Sequence, residues 1–254
     1  MPTLRARYDA IYLSPHLDDV ALSCGGSVAA QVRRGETVLI VTLAAGDPPP
    51  GPLSPLAEAM HASWNLGRDA AERRRAEDRA ACARLGADWV HLPIPDCIYR
   101  PAGAAGKWRC ASRPDLFGPL LPEDDGLVAA IVDRLAALPP ANRLVAPLGI
   151  GGHVDHQIGR RAAEACAHPS LGYYAEQPYC ARDPALLEDL RAQPDWSEER
   201  VLLDDAGLAA KLAAVRAYAS QVAKLYPVGF EPGSPGWQTL RGESFWRKRQ
   251  VVFC

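Results

Sequence analysis

Residues 10–43 read AIYLSPHLDDVALSCGGSVAAQVRRGETVLIVTL, and this stretch sets the fold. It opens on the short apolar run Ala10 to Leu13, which has the length of a strand. From about Val20 to Arg34, apolar and small residues recur at helical spacing, and Gly35 stands where a helix C-terminal cap belongs. Thr37 to Leu43 is continuous, apolar and rich in β-branched residues, as a strand covered on both faces should be. A strand, a helix and a strand make one βαβ unit, and such a crossover joins parallel strands.

Outward from this unit the alternation continues. The spacing predicts a charged helix over about 70–84 capped by Gly86, a short strand at Asp88 to Leu92, a helix near Gly126 to Leu138 and a strand at Leu144 to Ala146. A helix from about His153 to Ala167, a strand at Leu171 to Ala175 and one long helix from Ala206 to Leu225 follow, ahead of an aromatic tail. The stripe Leu208, Leu212, Val215 reads as core. Between these lie the Pro/Gly loop Gly46 to Pro55 and two long stretches without periodicity, Pro93–Pro122 and Pro178–Arg200. Loops that long usually serve a function, and in open α/β sheets sites gather at the carboxyl ends of strands, so both are expected at the mouth of a site. The pattern is that of an α/β fold with a mainly parallel sheet flanked by helices, in a single domain over 1–254.

Composition narrows the function. Hydrophobic residues make up 48% and charged residues 23%, enough apolar material for a full core. A net charge of -2 leaves no basic excess for a nucleic acid or an acidic membrane. Arg73-Arg74-Arg75 and Arg247-Lys248-Arg249 read as solvated faces. No secretory leader and no run near the ~20 apolar residues of a membrane helix is visible. Seven cysteines at irregular spacing, with no CxxC, fit free thiols in a reducing cytoplasm; Cys24 reads as a small core residue. A homo-oligomer stays open.

Two clusters carry chemistry. Ser14-Pro15-His16-Leu17-Asp18-Asp19 sits where the first strand passes into a helix. His16 and Asp19, three apart, share a face and could share a cation, while Asp18 is left for proton work. The competing reading is that the aspartates cap the helix and favour its positive end. The second cluster, His153-Val154-Asp155-His156, follows Leu148-Gly149-Ile150-Gly151-Gly152 and opens another helix just past a strand. Its two histidines also share a face, and the glycines permit close approach of a ligand. A pair of surface histidines beside a capping aspartate is the bland alternative. Two histidines and one carboxylate with open positions suit a catalytic zinc or a non-haem iron(II).

At this point SPHLDD and GGHVDH resemble the two signatures of the PIG-L/LmbE-like zinc N-deacetylases. Further matches are Arg74 and Glu77 to an RxxE, Asp96 to a loop aspartate, Tyr174-Ala175-Glu176-Gln177-Pro178 to a Y-x-E-x-P segment, and Ser220-Gln221, Gly242-Glu243 and Phe245-Trp246 to C-terminal features. The resemblance implies a Rossmann-like, LmbE-like fold. It implies that His16, Asp19 and His156 hold zinc, that Asp18 is the general base, and that His153 stabilises or protonates the oxyanion while Asp155 orients it. It places Arg74 and Asp96 against substrate, an N-acylated amino-sugar conjugate losing its acyl (acetyl) group. Two departures stand out. Val20 replaces a glutamate that many members carry, and Gly151-Gly152 replace a tyrosine that some place before HxDH.

Two other readings compete. An iron(II) oxygenase could use the same ligands, but would leave Asp18 and His153 without roles. A nucleotide-binding module would need G-x-G-x-x-G in the first turn, where Asp18-Asp19 would instead repel phosphate. Outside the clusters, His61, His91 and His168 read as surface or satisfied buried histidines. On a charged helix, pairing with Glu77 is the commoner fate for Arg74 than holding substrate hydroxyls. Tyr99 and Trp108 could stack on a sugar or simply hold their loop.

Overall fold

The computed structural model describes residues 3–103, 106–225, 234 and 239–249. Strand β1 (Tyr8–Ser14) lies parallel to β2 (Val38–Thr42), the two joined by helix α1 (Asp19–Arg33). Helices α2 (Pro55–Trp64) and α3 (Ala70–Leu85) lead to β3 (Asp88–His91), and α4 (Asp124–Ala136) leads to β4 (Ala141–Pro147). Helix α5 (Val154–Ala165), β5 (Leu171–Tyr174), the one-turn helices α6 (Tyr179–Arg182) and α7 (Glu188–Arg191), and β6 (Trp196–Leu202) follow. Helices α8 (Asp205–Val215) and α9 (Ala219–Leu225) precede β7 (Gly242–Lys248).

The strands form one sheet in the order β3-β2-β1-β4-β5-β7-β6. β1 to β5 are parallel, and β7 runs antiparallel to both β5 and β6. This is the α/β, Rossmann-like sheet expected. Alternation along the strands explains the layers. Ile11, Leu13, Leu39 and Val41 face a core shared with Ile131 of α4 and Ile158 of α5. Ala10, Tyr12, Val38 and Ile40 face Val28 of α1, Ala81 and Leu85 of α3 and Ala214 of α8. The connections reverse direction at β1: β2 and β3 extend to one side, β4 and β5 to the other. Such a switch point opens a crevice beyond the carboxyl ends of the two central strands. Both sequence clusters emerge there.

Three expectations need correction. The helix over 206–225 is two helices, α8 and α9, because the chain turns at Tyr218, whose buried ring donates its hydroxyl to buried Asp78 (2.7 Å). Pro178–Arg200 is not all loop: it holds α6, α7 and the start of β6, an edge strand whose polar WSEER run hides its pairing with β7. Arg74, from the supposed solvated basic run, is 8% exposed. Leu208, Leu212 and Val215 are core as expected. Six cysteines are free; Cys254 lies outside the described residues.

Candidate metal centre

Ser14 ends β1 and organises the turn that follows. Its hydroxyl donates to the His16 carbonyl (2.6 Å) and accepts from the Val20 amide (3.3 Å). Asp18 occupies the N-cap position of α1 but makes no side-chain cap. Asp19 Oδ2 accepts from the His16 amide (2.7 Å) and lies 3.2 Å from His16 Nδ1. Helix capping therefore leaves the Asp18 carboxylate unexplained.

Beyond β4, Gly149, Gly151 and Gly152 take left-handed φ of 83°, 79° and 72°, which favours glycine and sharpens the turn into α5. His153 caps α5: its Nδ1 accepts from the Asp155 amide (3.3 Å). A neutral ring so bonded carries its hydrogen on Nε2. His156, one turn on, is fully buried. Its Nδ1 lies 3.1 Å from Glu176 Oε1, and Glu176 is fixed in turn by the amides of Gly149 (2.7 Å) and Ile150 (3.2 Å). His156 Nε2 points the other way, 3.3 Å from Asp19 Oδ2, yet is buried without a hydrogen-bond partner.

Asp19 Oδ2 thus stands 3.2 Å from His16 Nδ1 and 3.3 Å from His156 Nε2. Ligands about 2.0–2.1 Å from a tetrahedral zinc lie roughly 3.3 Å from one another. An orphaned buried imidazole nitrogen aimed at that spot is available as a metal ligand. The donor set fits a small divalent cation. Other groupings share the cluster: His16 with His153 and His156, Cys97 with His153 and Asp155, and His16 with Asp96 and Asp155, each with ligand atoms within 4.8 Å. Cys97 is the weaker donor, since hydrogen bonding to Cys110 and burial push its thiol up and disfavour the thiolate. Asp155 is already engaged by Arg100, the Cys97 amide (3.1 Å) and His16 Nε2 (3.2 Å).

That engagement departs from expectation. The Asp155 carboxylate holds His16, and only its backbone amide meets His153. Nor does Arg74 pair with Glu77, whose carboxylate takes the Ser220 amide (2.9 Å) and hydroxyl (2.6 Å). Arg74 lies 3.5 Å from Asp18 Oδ2 and 4.0 Å from Asp96 Oδ2, its guanidinium over the Trp64 ring at 4.8 Å. Burial pushes the Asp18 carboxyl up to about 7, against the pull of Arg74. Burial, then repulsion from His16 and His156, holds His153 well below the usual imidazole range, so it is neutral. His156 is raised to about 9: burial opposes, and Asp19 and Glu176 prevail.

His16, Asp18, Asp19, Arg74, Asp96 and His153 line one cavity of about 140 Å³. Asp96, Ile98 and Leu116 bring the first long loop to it, Pro178 and Tyr179 the second, so both loops border it. Tyr179 packs edge-on to His156 (5.7 Å), filling the space beside Gly151, where a Cβ would come within 2.8 Å of its ring. A cleft of about 390 Å³ lined by Arg33, Arg34 and Arg143 brings together no such donor set. Sequence reasoning missed the parts played by Glu176 and Gln177, and Trp64 and Tyr179 altogether. Glu176 and Gln177 stood inside the quoted Y-x-E-x-P run, but nothing in the spacing aimed them at His156. Tyr99 holds its loop through His61 (2.5 Å), and Trp108 lies outside the cavity.

Comparison with known proteins agrees with this geometry. The family model for GlcNAc-PI de-N-acetylase (PIG-L) matches residues 11–167. The chain is 29% identical to 2'-N-acetylparomamine deacetylase of Niallia circulans over 85% of this chain and 82% of that protein. It is 28% identical to the Streptomyces fradiae protein of the same name over 72% of this chain, an alignment spanning only 63% of that protein. The crystal structure of the zinc inhibited form of teicoplanin deacetylase Orf2 superposes with a TM-score of 0.77 at 27% identity, covering 97% of this chain and all of that one.

Proposed function

The chain belongs to the GlcNAc-PI de-N-acetylase (PIG-L) family, and from that premise we propose that it is a zinc-dependent hydrolase removing an acetyl (acyl) group from an N-acylated amino-sugar conjugate. The observation that carries the reading is the convergence of His16 Nδ1, Asp19 Oδ2 and the orphaned His156 Nε2 beside a second carboxylate, Asp18, that caps no helix. Those three residues would hold the ion. When bound, zinc supplies a Lewis acid that polarises the acyl carbonyl and brings the pKa of a water toward about 7.

The chain's own residues do the rest. Asp18 takes the proton of the attacking water. Burial makes it more basic than an ordinary carboxylate, and a cation at Asp19 draws it back toward its ionised form, so it can act near neutral pH. Neutral His153 offers Nε2–H to the oxygen that becomes negative, and the proton that Asp18 took from the water passes to the departing amine as the C–N bond breaks. Asp155 fixes the ring of His16 and Glu176 that of His156, so that the nitrogens facing Asp19 are the ones that would give up hydrogen to a cation there. Asp96 and Arg74, on the cavity wall, contact the sugar.

The cavity is smaller than the roughly 300–1,000 Å³ of a drug-sized site. That suits the acylated edge of one sugar ring, with the remainder of a conjugate lying across the two loops. The partner is a small molecule or glycoconjugate. Among the described residues no helix is long and apolar enough to cross a membrane, and we place the enzyme in the cytoplasm as one catalytic domain. A nucleotide-binding reading is disfavoured by the two buried carboxylates at the start of α1. Acetylated amino sugars should release acetate on incubation with the zinc-loaded protein. Release in the absence of oxygen rules out the iron(II) oxygenase; no release from any of them defeats the deacetylase reading.

A further inference from the structure

Beyond β5 the run Glu176-Gln177-Pro178-Tyr179 passes beside the metal centre. Glu176 is spent on His156, but Gln177 is not spent on anything its side chain can reach. Its backbone is pinned, the amide donating to Ser23 Oγ of α1 (3.1 Å). The residue is 7% exposed and lines the cavity with Asp18, Asp19, Tyr179 and Gln221. Gln177 Oε1 is nevertheless buried without a hydrogen-bond partner. Exchanging the two ends of the amide leaves the same place holding an unpartnered polar group. An amide oxygen removed from water and given nothing in return destabilises the fold. One held on a fixed backbone, at the wall of the reaction cavity, is placed for a ligand to complete.

We propose that Gln177 is a specificity-determining residue, its Oε1 accepting a hydrogen bond from a hydroxyl of the sugar ring that bears the acylated nitrogen. This rests on the deacetylase reading above. The cavity's own chemistry selects the donor. Asp18, Asp96 and Gln177 all present acceptor oxygens, with the Arg74 guanidinium as the strong donor beside them. A ligand seated there must bring several donors of its own, and a polyhydroxylated ring does. The acyl carbonyl, an acceptor, belongs instead on the His153 side. A site with a buried polar group discriminates sharply against an analogue lacking the matching hydroxyl, because the group is then left unpaired.

The test compares wild type, Gln177→Met and Gln177→Leu, all zinc-loaded, on the best-cleaved N-acetyl amino sugar and its singly deoxygenated analogues. Wild type should lose on the order of 10–100-fold in kcat/KM on one analogue. Gln177→Met should lose a similar factor on the parent sugar and no longer distinguish it from that analogue. Its Tm should equal or exceed that of wild type, since no protein partner is lost. Variants that keep the wild-type ranking of all analogues overturn the proposal, and so does a large fall in Tm for both, which marks a structural role. If wild type itself releases no acetate, the deacetylase reading falls and takes this one with it; if it does, only the Gln177 assignment is at stake.

Discussion

His156 Nδ1 lies 3.1 Å from Glu176 Oε1, and neither side chain reaches solvent. A carboxylate behind a ligating histidine fixes its tautomer and raises its basicity, and losing such a partner typically costs about 10–100-fold in metal affinity. Glu176→Ala should lower zinc affinity by that factor, with Glu176→Gln falling between it and wild type because an amide oxygen still accepts from Nδ1–H. Competition against a chelator measures this. An Ala variant with wild-type affinity would remove Glu176 from the account.

Helix α1 is broken at Cys24 (φ −142°, ψ 19°), and the amides of Gly26 and Ser27 that the break exposes donate to Glu243 (2.9 Å each). Glu243 is also 2.8 Å from Lys211 Nζ, with both side chains shielded completely from solvent. Removing one member of a buried pair strands the other charge at a cost of roughly 3–5 kcal/mol. Lys211→Met should therefore lower unfolding free energy by about that much in a denaturant titration. A loss under about 1 kcal/mol would mean that the two backbone amides alone satisfy Glu243.

Glu198 of β6 gathers Arg191 of α7 (2.8 and 3.0 Å), Arg200 (3.1 Å) and Ser244 of β7 (2.8 Å), tying the second long loop to the sheet edge. Burial opposes, but these partners hold its carboxyl down at about 2, below the ordinary 4.5. A depressed carboxylate stabilises the fold fully above its unfolded value, and that contribution drains away as pH falls through the folded one. Glu198→Gln should thus lower Tm at pH 7, and the gap from wild type should narrow between about pH 4.5 and 2. A gap that is constant with pH would show that charge is not what Glu198 contributes.

Much of the site was legible because its chemistry is local. His16, Asp18 and Asp19 fall within one turn, as do His153 and His156, and each group follows a strand that its own composition announces. Asp155 shows the limit. Its place between two histidines says nothing about which way its carboxylate turns, and Arg100 and His16, distant in sequence, decided that. Glu176 and Gln177 follow β5, but only the neighbouring turns after β1 and β4 give them something to face. Trp64 sits on α2, a helix too short and too close to a Pro/Gly loop to stand out. β6 and β7 pair with each other at the sheet edge, so their outer faces are polar and no continuous apolar run marks them.

The central claim is that adjacent aspartates divide the work, Asp19 holding the ion and Asp18 moving the proton. Zinc content and acetate release, followed together while zinc is titrated into wild type, Asp18→Asn and Asp19→Asn, test it most directly. Wild type should bind one ion per chain and turn over. Asp18→Asn should bind zinc as wild type does, yet lose roughly 10²–10⁴-fold in rate, the usual share of general-base catalysis. Asp19→Asn should bind zinc weakly and recover part of its activity as zinc is raised. An Asp18→Asn protein that hydrolyses at the wild-type rate, or a wild type that is fully active without metal, would contradict the account.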